Sequence, residues 1–301
     1  MKQWSGVFPA TTTQFAKDER LDIAATQEVV NALIEDGVDG IICMGTVGEN
    51  CSLHADEKRA LLAAVKEVVA GRVPLLSGVA EYTAPIAAQF ARDAEEIGID
   101  GLLLLPAMVY KATQREAVTH FRTVAQATGL PIMIYNNPVS YGVDLSIESY
   151  AELADLKNVI AIKESSEDTR RITDLSAAYP DRFILFAGVD DVVLESLMLG
   201  AQGWVSGLTN AFPRESVALY ELAKAGRYAE ALAIYRWFMP LLHLDTIPTL
   251  VQCIKLAEQI MGRGSETVRA PRLPLVGEER ARVEQIVRQA VATRPKLPAN
   301  L

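Results

Sequence analysis

A single lysine follows a short run of apolar residues, and its position indicates amine chemistry. Residues 159–162, Val-Ile-Ala-Ile, are mostly β-branched and lead directly into Lys163. This pattern is typical of a strand that is buried on both faces. An amine held against apolar walls is driven toward its neutral form, which can attack a carbonyl and form a Schiff base. On this stretch alone, the alternative is a lysine whose ammonium group extends past the strand end into solvent.

Polar residues also follow other apolar runs. Tyr135 ends one run, and the segment Gly45–Glu49 (Gly-Thr-Val-Gly-Glu) follows another. A phenol beside an amine can transfer protons or stabilise a tetrahedral intermediate, although a core tyrosine gives the same pattern. The Gly45–Glu49 segment can present backbone N–H groups to a carboxylate, or it can be a plain turn before a helix. It lacks the third glycine of a dinucleotide fingerprint.

The chain offers little for a metal ion or an organic cofactor. His54, His120 and His243 are scattered in or near helical segments and form neither H-x-H nor H-E-x-x-H. Metal-dependent sites in proteins usually group such ligands at short, regular spacings. We therefore expect structural or surface histidines and no metal-dependent site.

Short apolar runs alternate with amphipathic stretches over most of the chain, which predicts an α/β fold. The predicted strands are Gly6–Thr13, Val38–Met44, Val73–Val79, Gly101–Leu105, Pro131–Asn136, Asn158–Lys163, Arg182–Ala187 and Gly203–Ser206. Eight consecutive strand–helix units favour a closed (β/α)8 TIM barrel, with active-site residues at the C-terminal ends of the strands. An open doubly wound sheet is the alternative that periodicity leaves open.

The alternation stops near residue 225. Three helical patterns follow, at 227–239, 247–261 and 278–292, with a flexible connection expected at Gly262–Gly264. We predict a catalytic barrel over residues 1–225 and a C-terminal three-helix extension over residues 226–301.

Composition narrows the possible partners and surroundings. The 301 residues carry a net charge of −9, which disfavours nucleic acid and anionic membranes as partners. Three cysteines cannot form a disulfide framework, and no C-x-x-C occurs. The first residues lack a signal-peptide core, and no apolar run reaches the length of a membrane span. We expect a cytoplasmic protein that acts on a small molecule.

Taken together, these motifs resemble the dihydrodipicolinate synthase / N-acetylneuraminate lyase family of Schiff-base-forming barrels. Gly45–Glu49 matches the family's G-[ST]-[ST]-G-E at four of five positions, and Tyr135–Pro138 matches Y-N-x-P. Ile162-Lys163-Glu164 matches the strand that carries the Schiff-base lysine, and Tyr135 precedes Lys163 by the family's 28 positions. The resemblance covers nearly the whole chain.

The resemblance implies roles for the matching residues. Lys163 condenses with the ketone of pyruvate or another 2-oxo acid, and Tyr135 transfers protons. The resemblance implies that no metal and no organic cofactor is needed. Thr46, with the backbone N–H groups of Thr46 and Val47, holds the substrate carboxylate. Position in the fold adds the other expected pocket residues, which are Gly48, Gly188, Val205 and Ser206.

Three departures from the synthase pattern bear on the substrate. Val47 replaces a hydroxyl residue, so carboxylate binding must rely on the backbone. Ser140 stands where the synthases have an arginine that binds the second substrate's carboxylate, and Ser140 lacks that bidentate charge. Tyr110, after an apparent one-residue insertion, matches loosely the tyrosine that reaches a neighbouring subunit's site. It can equally be a surface or interface tyrosine.

The sequence thus predicts a lyase that forms a Schiff base through Lys163. Its reaction would be aldol cleavage or condensation, or dehydration or deamination of a hydroxylated 2-oxo acid. The alternatives are 4-hydroxy-tetrahydrodipicolinate (dihydrodipicolinate) synthase and, from another class, a barrel that binds a keto acid without turnover. The resemblance also implies a homodimer or homotetramer. Substrate and reaction direction do not follow from the sequence.

Overall fold

The computed structural model describes residues 4–107 and 110–298, and the chain forms a (β/α)8 barrel followed by a helical extension. All eight strands run parallel. In chain order, strands β1 to β8 are Gly6–Pro9, Ile41–Cys43, Leu75–Val79, Gly101–Leu104, Ile132–Asn136, Val159–Glu164, Ile184–Ala187 and Gly203–Ser206. The predicted TIM-barrel fold is confirmed.

The barrel closes between its first two strands, in contrast to an open doubly wound sheet. Neighbouring strands follow the order β1-β8-β7-β6-β5-β4-β3-β2. Just beyond β1, Ala10 forms a parallel bridge to Ile42 of β2, and the Thr11 N–H donates to the Ile42 carbonyl oxygen at 2.8 Å. On its other side, β1 pairs with β8, with Gly6 opposite Gly203. The closed circle brings all C-terminal strand ends to one rim.

Helices alternate with the strands and then continue alone through the extension. In chain order, helices α1 to α12 are Ile23–Glu35, Ala55–Val69, Ala84–Ile97, Gln114–Ala125, Pro138–Tyr141, Ile147–Ala151, Arg170–Ala178, Val193–Met198, Pro213–Lys224, Tyr228–Leu242, Leu250–Ile260 and Gly277–Ala292. One-turn 3₁₀ helices lie at Asn50–Ser52, Asp190–Val192, Leu208–Asn210 and His243–Asp245. Across the described ranges, every helix is too short or too polar to cross a membrane.

The predicted first strand differs from the observed one at the rim. The prediction runs to Thr13, but β1 ends at Pro9. The Thr11 hydroxyl donates to the Ile42 carbonyl oxygen at 3.0 Å, and the Thr13 hydroxyl donates to the Gly48 carbonyl oxygen at 2.7 Å. Beyond Pro9 these two hydroxyl groups hold the segment against β2 and the loop that follows β2.

Two apolar layers cover the strands, because successive side chains point to opposite sides of the sheet. Outward-facing residues pack against the surrounding helices in one large cluster. The inward-facing cluster contains Phe8, Ile42, Leu76, Leu103, Met133, Ala161, Phe186 and Val205. These side chains fill the barrel interior below the rim, so a ligand can enter only from above.

The C-terminal extension is bonded to the barrel. Arg263, in the connection expected to be flexible, donates to the Asn210 carbonyl oxygen at 3.0 Å and pairs with Asp36 at 2.6 Å. Lys255 of α11 donates to the Thr13 carbonyl oxygen at 2.8 Å. The connection is therefore held by the barrel, and α11 reaches the functional rim.

Candidate active site

Lys163 and Tyr135 stand side by side on neighbouring strands. Parallel pairing of β5 and β6 places Tyr135 opposite Lys163 in register. The Lys163 Nζ lies 3.9 Å from the centroid of the Tyr135 ring. Both residues are buried, with 6 % and 7 % of their surfaces exposed. The sheet register thus puts a phenol ring directly against a buried amine, where it can act on a group bonded to that amine.

Space around the lysine depends on Gly188, which follows β7. A Cβ at this position would lie 2.8 Å from Lys163 Cγ and would also collide with the hydroxyl of Ser165. Ser165 is almost fully buried, and its hydroxyl has no hydrogen-bond partner among the described residues. An unpaired buried hydroxyl next to a cavity is a ready partner for a bound polar group. Sequence reasoning missed Ser165, whose only signal was its place two residues after the lysine.

The segment Gly45–Asn50 forms a tight loop beside the lysine. A Cβ at Gly48 would lie 2.7 Å from the Met44 backbone nitrogen, so this position accepts only glycine. Thr46 and Val47 line the cavity. Within residues 4–107 and 110–298, no backbone carbonyl accepts a hydrogen bond from their N–H groups. Two free N–H groups at a cavity wall form an anion-binding position, which suits a carboxylate.

The loop is held from behind by a buried ion pair with the extension. Lys255 Nζ donates to Glu49 Oε1 at 3.0 Å, and neither side chain is exposed. The other Glu49 oxygen accepts from the Arg269 backbone N–H at 3.0 Å and lies 3.8 Å from Arg272. Burial lowers the pKa of Lys255, and the charge of Glu49 opposes that effect. The extension therefore positions the loop that carries Thr46.

Tyr141 adds a hydroxyl that sequence reasoning did not identify. It ends the one-turn helix α5, which Asn137 caps by accepting from the Ser140 N–H at 2.9 Å. The Tyr141 hydroxyl bonds to the Thr46 hydroxyl. Its ring meets the Tyr135 ring edge-on, with centroids 5.5 Å apart. Burial raises the pKa of Tyr141 well above its usual value, so the phenol stays protonated.

These contacts connect three hydroxyl residues along one wall of the cavity. Thr46 bonds to Tyr141, and Tyr141 packs against Tyr135. The Tyr135 hydroxyl accepts a hydrogen bond from Asn137 Nδ2 at 3.0 Å. A row of hydroxyl groups leading to an amine can move protons to and from a group attached there.

Two aspartates, Asp190 and Asp245, lie close enough to Lys163 to interact with it electrostatically. Asp190 is fully buried and accepts from Trp204 Nε1 at 2.9 Å, the Ser206 hydroxyl at 2.9 Å and the Leu208 N–H at 3.2 Å. Burial raises the pKa of Asp190 to about 6, although its hydrogen bonds oppose this effect. Asp245, from the extension, lines the cavity. Burial, and next the charge of Asp190, raise its pKa well above the usual value.

A cavity of about 480 Å³ lies above the lysine at the barrel mouth. The predicted residues that line it are Lys163, Tyr135, Thr46, Val47, Ser140 and Gly188. The predicted residues that lie buried behind its wall are Gly48, Val205 and Ser206. Lining residues that the sequence did not suggest include Tyr141, Ser165, Asp245 and Arg272.

Tyr110 lies apart from these groups. It is 57 % exposed, and a hydrogen bond with Glu116 raises its pKa. It is not among the residues that line the cavity of its own chain. Met108 and Val109, which precede it, lie outside the described residues. The role of Tyr110 in a neighbouring subunit stays a prediction.

The part of the chain that the structure describes contains no group of three metal-binding side chains. His54 caps helix α2 and His120 is buried against the Leu105 carbonyl oxygen at 3.1 Å. His243 bonds to Asp191 at 2.8 Å. Each histidine thus has a structural partner.

Comparison with known proteins agrees with this geometry. The sequence profile of the Dihydrodipicolinate synthetase family matches residues 3–290. A 4-hydroxy-tetrahydrodipicolinate synthase of Exiguobacterium sibiricum is 34 % identical over 283 residues, which cover 92 % of this chain and 94 % of the relative. A 4-hydroxy-tetrahydrodipicolinate synthase 1 of Halalkalibacterium halodurans is 32 % identical over 278 residues and covers the same shares of the two chains.

Solved structures with similar folds carry related names. The 4-hydroxy-tetrahydrodipicolinate synthase of Methylacidiphilum fumariolicum SolV aligns over 97 % of this chain and 98 % of its own, with a TM-score of 0.92 and 29 % identity. YagE of E. coli K12, a prophage protein of the dihydrodipicolinic acid synthase family, was solved in complex with pyruvate. It covers 96 % of this chain and 99 % of its own, with a TM-score of 0.89 and 28 % identity.

Proposed function

Because the chain belongs to the Dihydrodipicolinate synthetase family, whose members are class I lyases that form a lysine Schiff base, we propose that Lys163 forms this bond with pyruvate or another 2-oxo acid. The observation that carries the proposal is the buried Lys163 amine, 3.9 Å from the Tyr135 ring at the base of the rim cavity. A binder without turnover would need neither group.

The first step joins the amine to the ketone. The neutral Lys163 nitrogen attacks the carbonyl carbon and gives up one of its two protons, and the carbonyl oxygen takes a proton to give a carbinolamine. A second proton on that oxygen lets it leave as water, and the C=N bond forms. The hydroxyl row Tyr135–Tyr141–Thr46 supplies these protons, since the Tyr135 ring lies against the amine and the Thr46 hydroxyl belongs to the loop.

The substrate carboxylate is placed on the Gly45–Asn50 loop. The N–H groups of Thr46 and Val47 bind its oxygens, and the Thr46 hydroxyl adds a third donor or exchanges protons. The loop positions the ketone over Lys163, which converts the attack into a nearly intramolecular reaction. The finished iminium withdraws electrons, so bonds at the adjoining carbon can break or form.

The remaining cavity suits a hydroxylated chain better than a second charged substrate. Ser140 stands at the mouth without a charge, whereas Ser165 and Asp245 supply polar oxygen atoms near the lysine. We therefore propose dehydration, deamination or aldol cleavage of a hydroxylated 2-oxo acid as the reaction class.

A 4-hydroxy-tetrahydrodipicolinate synthase is the second candidate. The relatives that match over most of this chain carry that name, and Arg272 lines the cavity. Arg272 is thus a cation within reach of the cavity, where a second carboxylate could bind. Its proximity to Glu49, at 3.8 Å, reduces the charge it can offer to a ligand.

Borohydride trapping tests the proposed lysine. Purified protein is mixed with pyruvate and sodium borohydride, and the adduct is located by mass spectrometry of peptides. We expect one adduct on Lys163 and none in Lys163→Ala. Lys111→Ala is the matched control, because Lys111 is exposed and packs near the cavity beside Gly142. An adduct on another lysine, or none with a panel of 2-oxo acids, would exclude this mechanism.

A turnover screen separates the two candidates. The protein is assayed with hydroxylated 2-oxo acids and, separately, with aspartate semialdehyde plus pyruvate. We expect turnover of the first class, whereas rapid condensation in the second assay would establish the synthase. A homodimer or homotetramer, with Tyr110 near a neighbouring site, remains our prediction for the assembly.

A further inference from the structure

We propose that Asp245 is the acid that protonates a leaving group on the substrate, so that this enzyme eliminates water or an amine instead of cleaving a carbon–carbon bond. The inference rests on the proposed Schiff base at Lys163 and deepens it. It assigns a catalytic role to a residue of the C-terminal extension, and it limits the substrate to 2-oxo acids that carry a hydroxyl or amino group at C4.

Asp245 is placed to touch a ligand held by the lysine. It ends the one-turn helix His243–Asp245, between α10 and α11, and lines the same cavity as Lys163. It packs over Gly207, where any Cβ would collide with it. Its Oδ1 atom is buried and has no hydrogen-bond partner among the described residues. A buried oxygen without a partner in a cavity wall is available to bond to a ligand.

Asp190 determines which of the two aspartates carries a proton. Its two oxygens already accept three hydrogen bonds, from Trp204, Ser206 and Leu208. Donors of this kind favour the charged carboxylate. Two adjacent carboxylates cannot both ionise easily in a buried place. The proton is therefore kept by Asp245, which lines the cavity. Burial and the charge of Asp190 raise the pKa of Asp245, and among the described residues the Gly207 N–H is the only backbone donor that lowers it.

A protonated acid at this point discriminates between two reactions of the same iminium. Retro-aldol cleavage begins with removal of the proton from the C4 hydroxyl, which requires a base. Elimination requires an acid, because hydroxide is a poor leaving group. A neutral Asp245 can donate a proton but does not serve as a base. It therefore favours elimination over retro-aldol cleavage.

The proposed step is balanced without any further reactant. Loss of a C3 proton to the hydroxyl row converts the iminium into an enamine. The enamine electrons then form a C3=C4 bond while the C4–O bond breaks. The oxygen takes the Asp245 proton and leaves as water, and the C=N⁺ bond is restored. Water then hydrolyses the iminium, and Asp245 regains a proton from solvent. The net change is the loss of one water molecule.

Asp245→Asn tests the assignment, since asparagine has nearly the same shape as protonated aspartate but cannot transfer a proton. The probes are 4-hydroxy-2-oxopentanoate and 4-fluoro-2-oxopentanoate. Elimination from either gives the same conjugated keto acid, whose formation is measured by its ultraviolet absorbance. Aldol cleavage of the hydroxy compound would give pyruvate and acetaldehyde instead. Fluoride leaves with little need of an acid. The matched control is Asp191→Asn, because Asp191 bonds to His243 of the same one-turn helix.

The wild type should eliminate water from 4-hydroxy-2-oxopentanoate more rapidly than it cleaves this compound to pyruvate and acetaldehyde. In Asp245→Asn this elimination should fall by roughly 10²–10⁴-fold, the usual contribution of a general acid. Elimination of fluoride should fall less than tenfold, and borohydride should still trap pyruvate on Lys163. Asp191→Asn should match the wild type in all three measurements.

Several outcomes would overturn the assignment. The first is a wild type that cleaves the hydroxy probe faster than it eliminates water from it. The second is a wild type that forms the Lys163 adduct but eliminates from neither probe. The third is an Asp245→Asn variant whose rate of water elimination falls less than threefold. An equal loss with both probes would show a structural role instead. Failure of the wild type to form the Lys163 adduct would refute the proposed function itself, so the two failures are distinguishable.

Discussion

Replacing Lys255 by methionine measures how strongly the extension stabilises the Gly45–Asn50 loop. Methionine has a similar length and no charge, so Glu49 would keep only the Arg269 N–H at 3.0 Å and the distant Arg272. Removing one partner of a fully buried ion pair costs roughly 3–5 kcal/mol. For a chain of this size, each kcal/mol lowers the melting temperature by about 2 °C, so we expect a decrease of about 6–10 °C.

The same variant should bind pyruvate less tightly. Glu49 anchors the loop whose N–H groups face the cavity, so a loosened loop presents those donors poorly. Melting is followed by far-ultraviolet circular dichroism, and binding by the pyruvate concentration that gives half-maximal trapping on Lys163. We expect a lower melting temperature together with a higher half-saturating concentration.

The double variant Lys255→Met with Glu49→Gln is the matched control. It removes both charges and should recover most of the lost stability, because no unpaired charge remains buried. A melting temperature within about 2 °C of the wild type in the single variant would refute the reasoning, as that change corresponds to about 1 kcal/mol. A double variant as unstable as the single one would show that packing, and not charge pairing, accounts for the loss.

Two further predictions concern buried groups. Tyr141→Phe should lower kcat by roughly 10²-fold if the hydroxyl row transfers protons. Adding Thr46→Val to this variant should lower kcat little more, because both residues belong to the same row. A double variant in which the two single losses multiply would contradict this. Burial raises the pKa of Glu258 from 4.5 to about 7, so the native state keeps a proton that the unfolded chain releases. Its stabilisation is full below about pH 4.5 and is lost as the pH rises through 7. In urea unfolding, Glu258→Gln should therefore lose less stability than the wild type between pH 5 and pH 8, and parallel curves would contradict this.

Patterns along single strands were enough to predict the barrel and the position of Lys163. Eight apolar runs give the strand count, and Tyr135 and Lys163 each lie at a strand end, so their proximity follows from adjacent pairing. Strand ends at the rim were less predictable, as Thr11 and Thr13 show. Their hydroxyl groups bond to backbone oxygen atoms of β2 and of the loop that follows it, and no local pattern reveals those partners.

The residues that sequence reasoning missed come from tertiary packing. Asp245 and Lys255 belong to the extension, and nothing in their local sequence indicates that α11 and the preceding turn lie against the barrel mouth. Tyr141 lies at the end of a single helical turn that begins after Asn137. One turn is too short to show helical periodicity in the sequence. Recognising them requires the three-dimensional path of the chain.

Closure of the barrel through β1 and β8 also determines when the cavity around Lys163 can be completed during protein synthesis. Gly6 finds its partner only when Gly203 has been made. At roughly 5–20 residues per second, that interval is about 10–40 s. Until then β1 lacks this partner strand, and the barrel mouth around Lys163 is open on that side. The cavity that holds Lys163 is therefore completed only after about two thirds of the chain has been made, so a chain that stops before Gly203 lacks it.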